Sequence, residues 1–84
     1  MSLNELQKAK SLIGKRIRET RLAKGLTQIQ LAELAEINQA VIQKIENGKS
    51  MQPRNIEYLA LILEVNPAWL QWGEPYAEKS LHTP

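Results

Sequence analysis

Apolar residues return every three or four positions along most of this chain, the period of a helix with one face turned inward. Leu6, Ala9, Ile13 and Ile17 mark the first such face, starting near Asn4, with Gln7 placed to complete a capping box. Gly14 lies inside this stretch and is expected to weaken or divide it, because glycine costs about 1 kcal/mol in a helix interior. Gly25 ends it. Thr27 then caps a second helix, with Gln30 at the capping-box position and Leu31, Ala32, Leu34 and Ala35 as its apolar side. Asn38 is a good N-cap for a third helix that turns Val41, Ile42 and Ile45 inward and closes at Asn47-Gly48. "KSMQPR" reads as a loop, and Pro53 excludes helix until its own position or just after. Ile56, Leu59, Ala60 and Leu63 form an i, i+3, i+4, i+7 set in a fourth helix. Asn66-Pro67 opens a short fifth helix carrying Trp69 and Leu70, which Gly73 and Pro75 end. Strand-like alternation is absent. The pattern predicts a compact all-α bundle of five short helices.

The totals narrow the classes. A chain of 84 residues suits one small domain. With no cysteine, disulfides and thiolate metal sites are excluded. The single histidine, His82, stands near the end of the chain and reads as a solvated residue rather than a ligand or base. No apolar run approaches membrane-spanning length, and the polar N-terminus is unlike a signal peptide, so the expected location is cytoplasmic. No nucleophile beside a base, metal-spaced cluster or phosphate loop is present, so neither catalysis nor a cofactor is expected.

Net charge is +2, but its distribution is uneven. Lys8, Lys10, Lys15, Arg16, Arg18, Arg21 and Lys24 crowd one stretch opposed only by Glu19, whereas residues 55–78 contain acids and no base. The basic end could face a polyanion; on charge alone, a solvated helix face explains it better.

Helices two and three carry more information. Two helices crossing steeply need a small side chain at their closest approach, and Ala32 supplies it. Ile37 sits where it would plug the angle, and Ile42 and Ile45 would anchor helix three. The residues left facing outward are Asn38, Gln39, Ala40, Gln43, Lys44 and Asn47. This surface lacks the Glu/Lys pairs of an ordinary solvated helix. Amides can pair with adenine N6 and N7, lysine can reach guanine O6 and N7, and a small apolar side chain can touch a thymine methyl. By composition alone, a neutral solvated face and a major-groove reader are equally good readings.

The run from Arg18 to Glu74 resembles the DNA-binding domain of the lambdoid phage repressor and Cro family, most closely its 434-type members. Several separated motifs agree in register: "GLTQ" with "LA" shortly after, "IENGK" closing helix three, "P-R" opening helix four and "W-L" in helix five. The resemblance implies a lambda-repressor-like helix-turn-helix fold and three segments: a basic extension at 1–12, the DNA-binding domain at 13–74 and a tail or linker start at 75–84. It implies roles by position. Gln39, Ala40 and Lys44 match the side chains that reach base edges, with Gln43 beside them. Gln28, at the start of helix two, matches a phosphate contact. Asn47, Gly48 and Lys49 match the phosphate-gripping loop, with Asn38 at the other end of the helix. Arg54 matches a basic residue lying against the minor groove, where it would sense groove width. Arg21 and Glu46 match a buried ion pair.

The same resemblance implies a double-stranded DNA operator bound by a homodimer, with half-sites about one helical turn apart and a subunit contact around Leu63–Trp72. Trp72 is the aromatic expected there; alternatively it merely covers Trp69. "WLQWGEPYAEK" resembles the point where many phage repressors pass into a linker and a C-terminal dimerising domain, so a small Cro-like regulator and the N-terminal part of a longer repressor both fit. Lys8, Lys10 and Lys15 would reach flanking phosphates or serve solubility. Met51 and Gln52 depart from positions that are often basic, which would flatten the salt dependence. The base-reading set also departs from near relatives, so the operator sequence does not carry over. The rival class is an antitoxin-like protein-binding module on the same fold. One local feature conflicts with the pattern: the turn after helix two ordinarily holds glycine in the left-handed region, and this chain has Glu36. The helix-turn-helix reading therefore requires Glu36 to be exposed with positive φ.

Overall fold

The computed structural model describes the backbone of residues 3–49, 53–74 and 77–80, and the side chains of residue 5 and of residues 12–49, 55–74 and 77–80. The inward faces of Leu6 and Ala9, the Gln7 capping box, Lys8, Lys10, Met51, Gln52, the Arg54 side chain, Pro75 and His82 lie outside the described residues. Five helices follow in order: α1 Leu3–Ala23, α2 Gln28–Ala35, α3 Gln39–Glu46, α4 Pro53–Leu63 and α5 Pro67–Trp72. No described helix is long and apolar enough to cross a membrane.

The starts of the helices follow from their caps. Thr27 Oγ1 accepts from the Gln30 N–H at 3.0 Å, and Gln30 Oε1 accepts from the Thr27 N–H at 2.9 Å, a complete capping box. Asn38 and Asn66 each accept from the N–H two residues on, at 2.9 Å, and Pro67 occupies the first position of α5. The ends of four helices share one geometry. The N–H groups of Leu26, Ile37, Lys49 and Val65 donate to the carbonyls of Arg21, Ala32, Lys44 and Ala60, at 2.9–3.0 Å. In each case the preceding residue is left-handed: Gly25 at φ 71°, Glu36 at 54°, Gly48 at 72° and Glu64 at 59°. Glu36 is therefore the exposed left-handed turn residue that the helix-turn-helix requires. Glu64 repeats the device at the end of α4, where no residue pattern announced it.

α1 is the spine. It packs against α3, α4 and α5, while α2 packs against α3 and α4, and α4 against α5. Ile17, Leu31, Ile42, Ile45, Leu59, Leu63 and Leu70 fill the centre with no exposure beyond 1%. Ala32 lies buried in the core, and Ile37 packs half-buried in the turn against the same core. Leu34 corrects the expected pattern: it faces solvent, standing just outside the arc of α2 that Leu31, Ala32 and Ala35 bury. Val41 is half-buried rather than core.

Gly14 also corrects the expectation. α1 runs through it unbroken. A Cβ there would collide with the Ile45 carbonyl oxygen and stand 2.9 Å from that of Glu46. The glycine allows the C-terminal turn of α3 to rest directly on α1. Residues 77–80, expected as part of a tail, lie back against the α4–α5 corner. Asn66 N–H donates to the Lys79 carbonyl at 2.8 Å, Ala77 packs on the core, and the Lys79 ammonium stands 5.2 Å from the Trp69 ring centroid.

Candidate nucleic-acid interface

α3 has eight residues, too few to be stable alone in water, so its position is set by what holds it. Ile42 and Ile45 pin it to the core, Gly14 admits its last turn, and an ion pair ties its end to α1. Arg21 Nε donates to Glu46 Oε2 at 2.7 Å, and Arg21 Nη2 donates to Glu46 Oε1 at 3.0 Å, a two-point contact. Arg21 Nη1 also donates to the Leu26 carbonyl at 2.8 Å. The side chains are 9% and 4% exposed, so this is the expected buried pair. The Glu46 hydrogen bonds outweigh desolvation and raise the Arg21 pKa above its ordinary value, keeping it charged.

Glu46 does a second thing. Gln28 Nε2 donates to Glu46 Oε1 at 3.2 Å. This fixes which end of the Gln28 amide points inward and leaves its second N–H available beside the start of α2. Gln28, Gln43 and Asn47 are brought together with Arg18 around a polar cleft of about 230 Å³, floored by Arg21 and Glu46. On the other side of Gln28 a mainly apolar groove of about 480 Å³ runs past Leu22, Leu26 and Ile29 to Gln39.

Gln39, Ala40, Gln43 and Lys44 are all exposed. At 100° per residue their spacing puts them on the one face of α3 that Ile42 and Ile45 do not use. Asn38 Oδ1 is committed to capping, leaving its amide N–H groups for any other contact. Asn47 and Lys49 are exposed on either side of left-handed Gly48, which turns the chain away from the end of α3. Arg54 lies in the first turn of α4.

Among the described residues, much of the basic run at 15–24 is committed elsewhere. Arg21 pairs with Glu46, Lys24 with Glu64 at 2.6 Å, and Lys15 stands 4.0 Å from Glu19. Arg16 turns inward, and Nη1 donates to the carbonyls of Leu70 and Gln71 at 3.1 and 3.3 Å. Burial lowers the Arg16 pKa from its ordinary value. Arg18 lines the cleft beside α3 together with Arg21, and is itself exposed. Its position was readable in principle: Arg18 is one turn before Arg21 on the same side of the helix.

Comparison with known proteins bears on the family and the fold. The family model described as Helix-turn-helix matches residues 17–70. The HTH-type transcriptional regulator PrtR of Pseudomonas aeruginosa is 37% identical over 59 residues, covering 70% of this chain and 23% of that protein. The putative antitoxin HigA2 of Mycobacterium tuberculosis is 54% identical over 33 residues, covering 39% of this chain and 33% of the antitoxin. The restriction-modification controller protein C.AhdI from Aeromonas hydrophila superposes with a TM-score of 0.68 at 36% identity, covering 71% of this chain and 92% of that one. The matches span less than half the length of PrtR and of the antitoxin.

Proposed function

Because this chain belongs to the Cro/C1-type helix-turn-helix family of DNA-binding transcriptional regulators, we propose that it binds a palindromic operator as a homodimer and acts as a repressor of the phage type. α3 enters the major groove. Gln39 and Gln43 offer amides to adenine, Lys44 offers donors to guanine, and Ala40 offers a methyl to thymine. Gln28, Asn38, Asn47, Gly48 and Lys49 hold the flanking phosphates, and Arg54 lies toward the minor groove between half-sites. Bound across a promoter, the dimer excludes polymerase.

One observation carries this reading. The single exposed face of α3 bears Gln39, Ala40, Gln43 and Lys44, and carries no acidic side chain. Beneath it, Glu46 is neutralised by Arg21. A protein-docking helix would instead present apolar side chains outward. The similarity to an antitoxin over 33 residues favours a second reading, in which the same fold also holds a protein partner. Its seat would be the apolar groove past Leu22 and Ile29, which reaches Gln28 and Gln39, so that such a partner and DNA would compete for the start of α3.

For the dimer contact, Leu63 drops out of the expected span because it is 1% exposed, and Trp69 and Leu70 are likewise buried. Trp72 is 58% exposed and is the aromatic that a partner subunit would cover.

Gln39→Ala tests base reading. It should weaken binding to the selected operator by about 1–3 kcal/mol and leave binding to random DNA nearly unchanged. An equal loss on both, measured by fluorescence anisotropy, would remove Gln39 from that role.

A further inference from the structure

We infer that Arg16 is a positioning residue that sets the half-site spacing this protein accepts, by locking α5 to the same helix that holds α3. The inference rests on the dimer reading above, with Trp72 at the subunit contact.

α5 has six residues and cannot hold its own place. The carbonyls of its last turn need donors from elsewhere. Gly73 N–H serves Trp69 at 2.7 Å. Arg16 Nη1 serves Leu70 and Gln71, reaching across from α1. A cation at a helix C-terminus also complements the helix dipole. Gly73 makes the contact possible. It adopts φ 75°, ψ −178°, a conformation essentially reserved for glycine. A Cβ there would strike Arg16 Nη2 and stand 2.8 Å from Cζ. The arginine and the glycine thus form one clamp at the residue after Trp72.

The opposite flank of α1 carries the reading head. Gly14 and Arg21, seven positions apart and so on one side of α1, hold α3. Arg16, two positions from Gly14, points to the opposite side and holds α5. α1 is therefore a rigid strut with the recognition helix on one flank and the dimer-facing tryptophan on the other. In a two-fold dimer built at Trp72, the distance between the two recognition helices is fixed through this strut. A loose α5 would leave each α3 able to read its half-site while the pair tolerated several spacings.

The test compares operators made from the selected half-site at the preferred separation and at separations shifted by one, two and five base pairs. The chain and its Arg16→Lys, Arg16→Gln and Gly73→Ala variants are titrated with each, and with a single half-site. The wild-type chain should lose about a hundredfold in affinity when a half-turn shift prevents both half-sites from being engaged. Arg16→Gln and Gly73→Ala should shrink that loss to a few-fold, with single half-site affinity unchanged within about twofold. Arg16→Lys, which keeps a cation for the same carbonyls, should fall between and remain folded by circular dichroism. Full spacing discrimination in both Arg16 variants would overturn the inference, whatever their stability. Indifference to spacing in the wild-type chain would instead overturn the dimer reading, and the inference with it.

Discussion

At Glu36 and at Gly14 local preference and structure disagree, in opposite directions. Glu36 holds φ 54° at an exposed turn, at a cost of about 1–2 kcal/mol for an L-residue. Glu36→Gly should therefore raise the urea midpoint, a gain of about 1 kcal/mol, and leave the bound DNA sequence unaltered. A lower midpoint would mean that Glu36 makes a contact worth more than its strain. Gly14 runs the other way. Propensity alone says that Gly14→Ala gains about 1 kcal/mol. The new methyl would meet the backbone of α3, which cannot rotate aside, so a net loss of about 1–3 kcal/mol is expected by thermal unfolding. Glu36 was legible because the motifs on both sides fixed where the turn must be. Gly14 was not, because its reason lies on a segment thirty positions away that only the folded chain brings near. Arg16 was hidden similarly: in the sequence it is one more cation in a basic run.

At the level of elements, the α1–α3 junction depends on the Arg21–Glu46 pair. Removing one partner leaves the other charged and buried, so Glu46→Ala should cost about 3–5 kcal/mol. It should also free the Gln28 amide, and so weaken phosphate contact at the start of α2. The double variant Arg21→Met with Glu46→Leu should be more stable than Glu46→Ala, because two apolar side chains bury without an orphaned charge. A double variant as unstable as the single one would show that the pair does more than balance charge. All five helices and the N-caps Thr27, Asn38 and Asn66 were legible, since capping residues, prolines and apolar spacing act within a few positions. Burial was less so. Leu34 shares the apolar character of Leu31 yet faces solvent, and sequence spacing in an eight-residue helix leaves too narrow an arc to separate them. The strapping of residues 77–80 onto the α4–α5 corner was illegible, because it rests on a backbone hydrogen bond to Asn66 and a lysine over the Trp69 ring.

At the scale of the whole molecule, charge is balanced more locally than the sequence suggests. Arg16, Arg21 and Lys24 are engaged within the chain, so the field reaching DNA comes from fewer cations, with Arg18, Lys44 and Lys49 exposed around α3. Affinity should fall with salt accordingly, by about 0.9 in log K per log unit of salt for each phosphate neutralised. On the proposed reading, specificity then rests on α3 and on how rigidly two copies of it are held. The most direct measurement is selection of bound sequences from a random pool of duplex DNA by the full chain. Recognition by a dimer through α3 predicts an enriched two-fold symmetric site, with half-sites separated by about one helical turn and carrying an adenine lost on Gln39→Ala. A pool left without enrichment, or enriched for a site indifferent to substitution on α3, would contradict it.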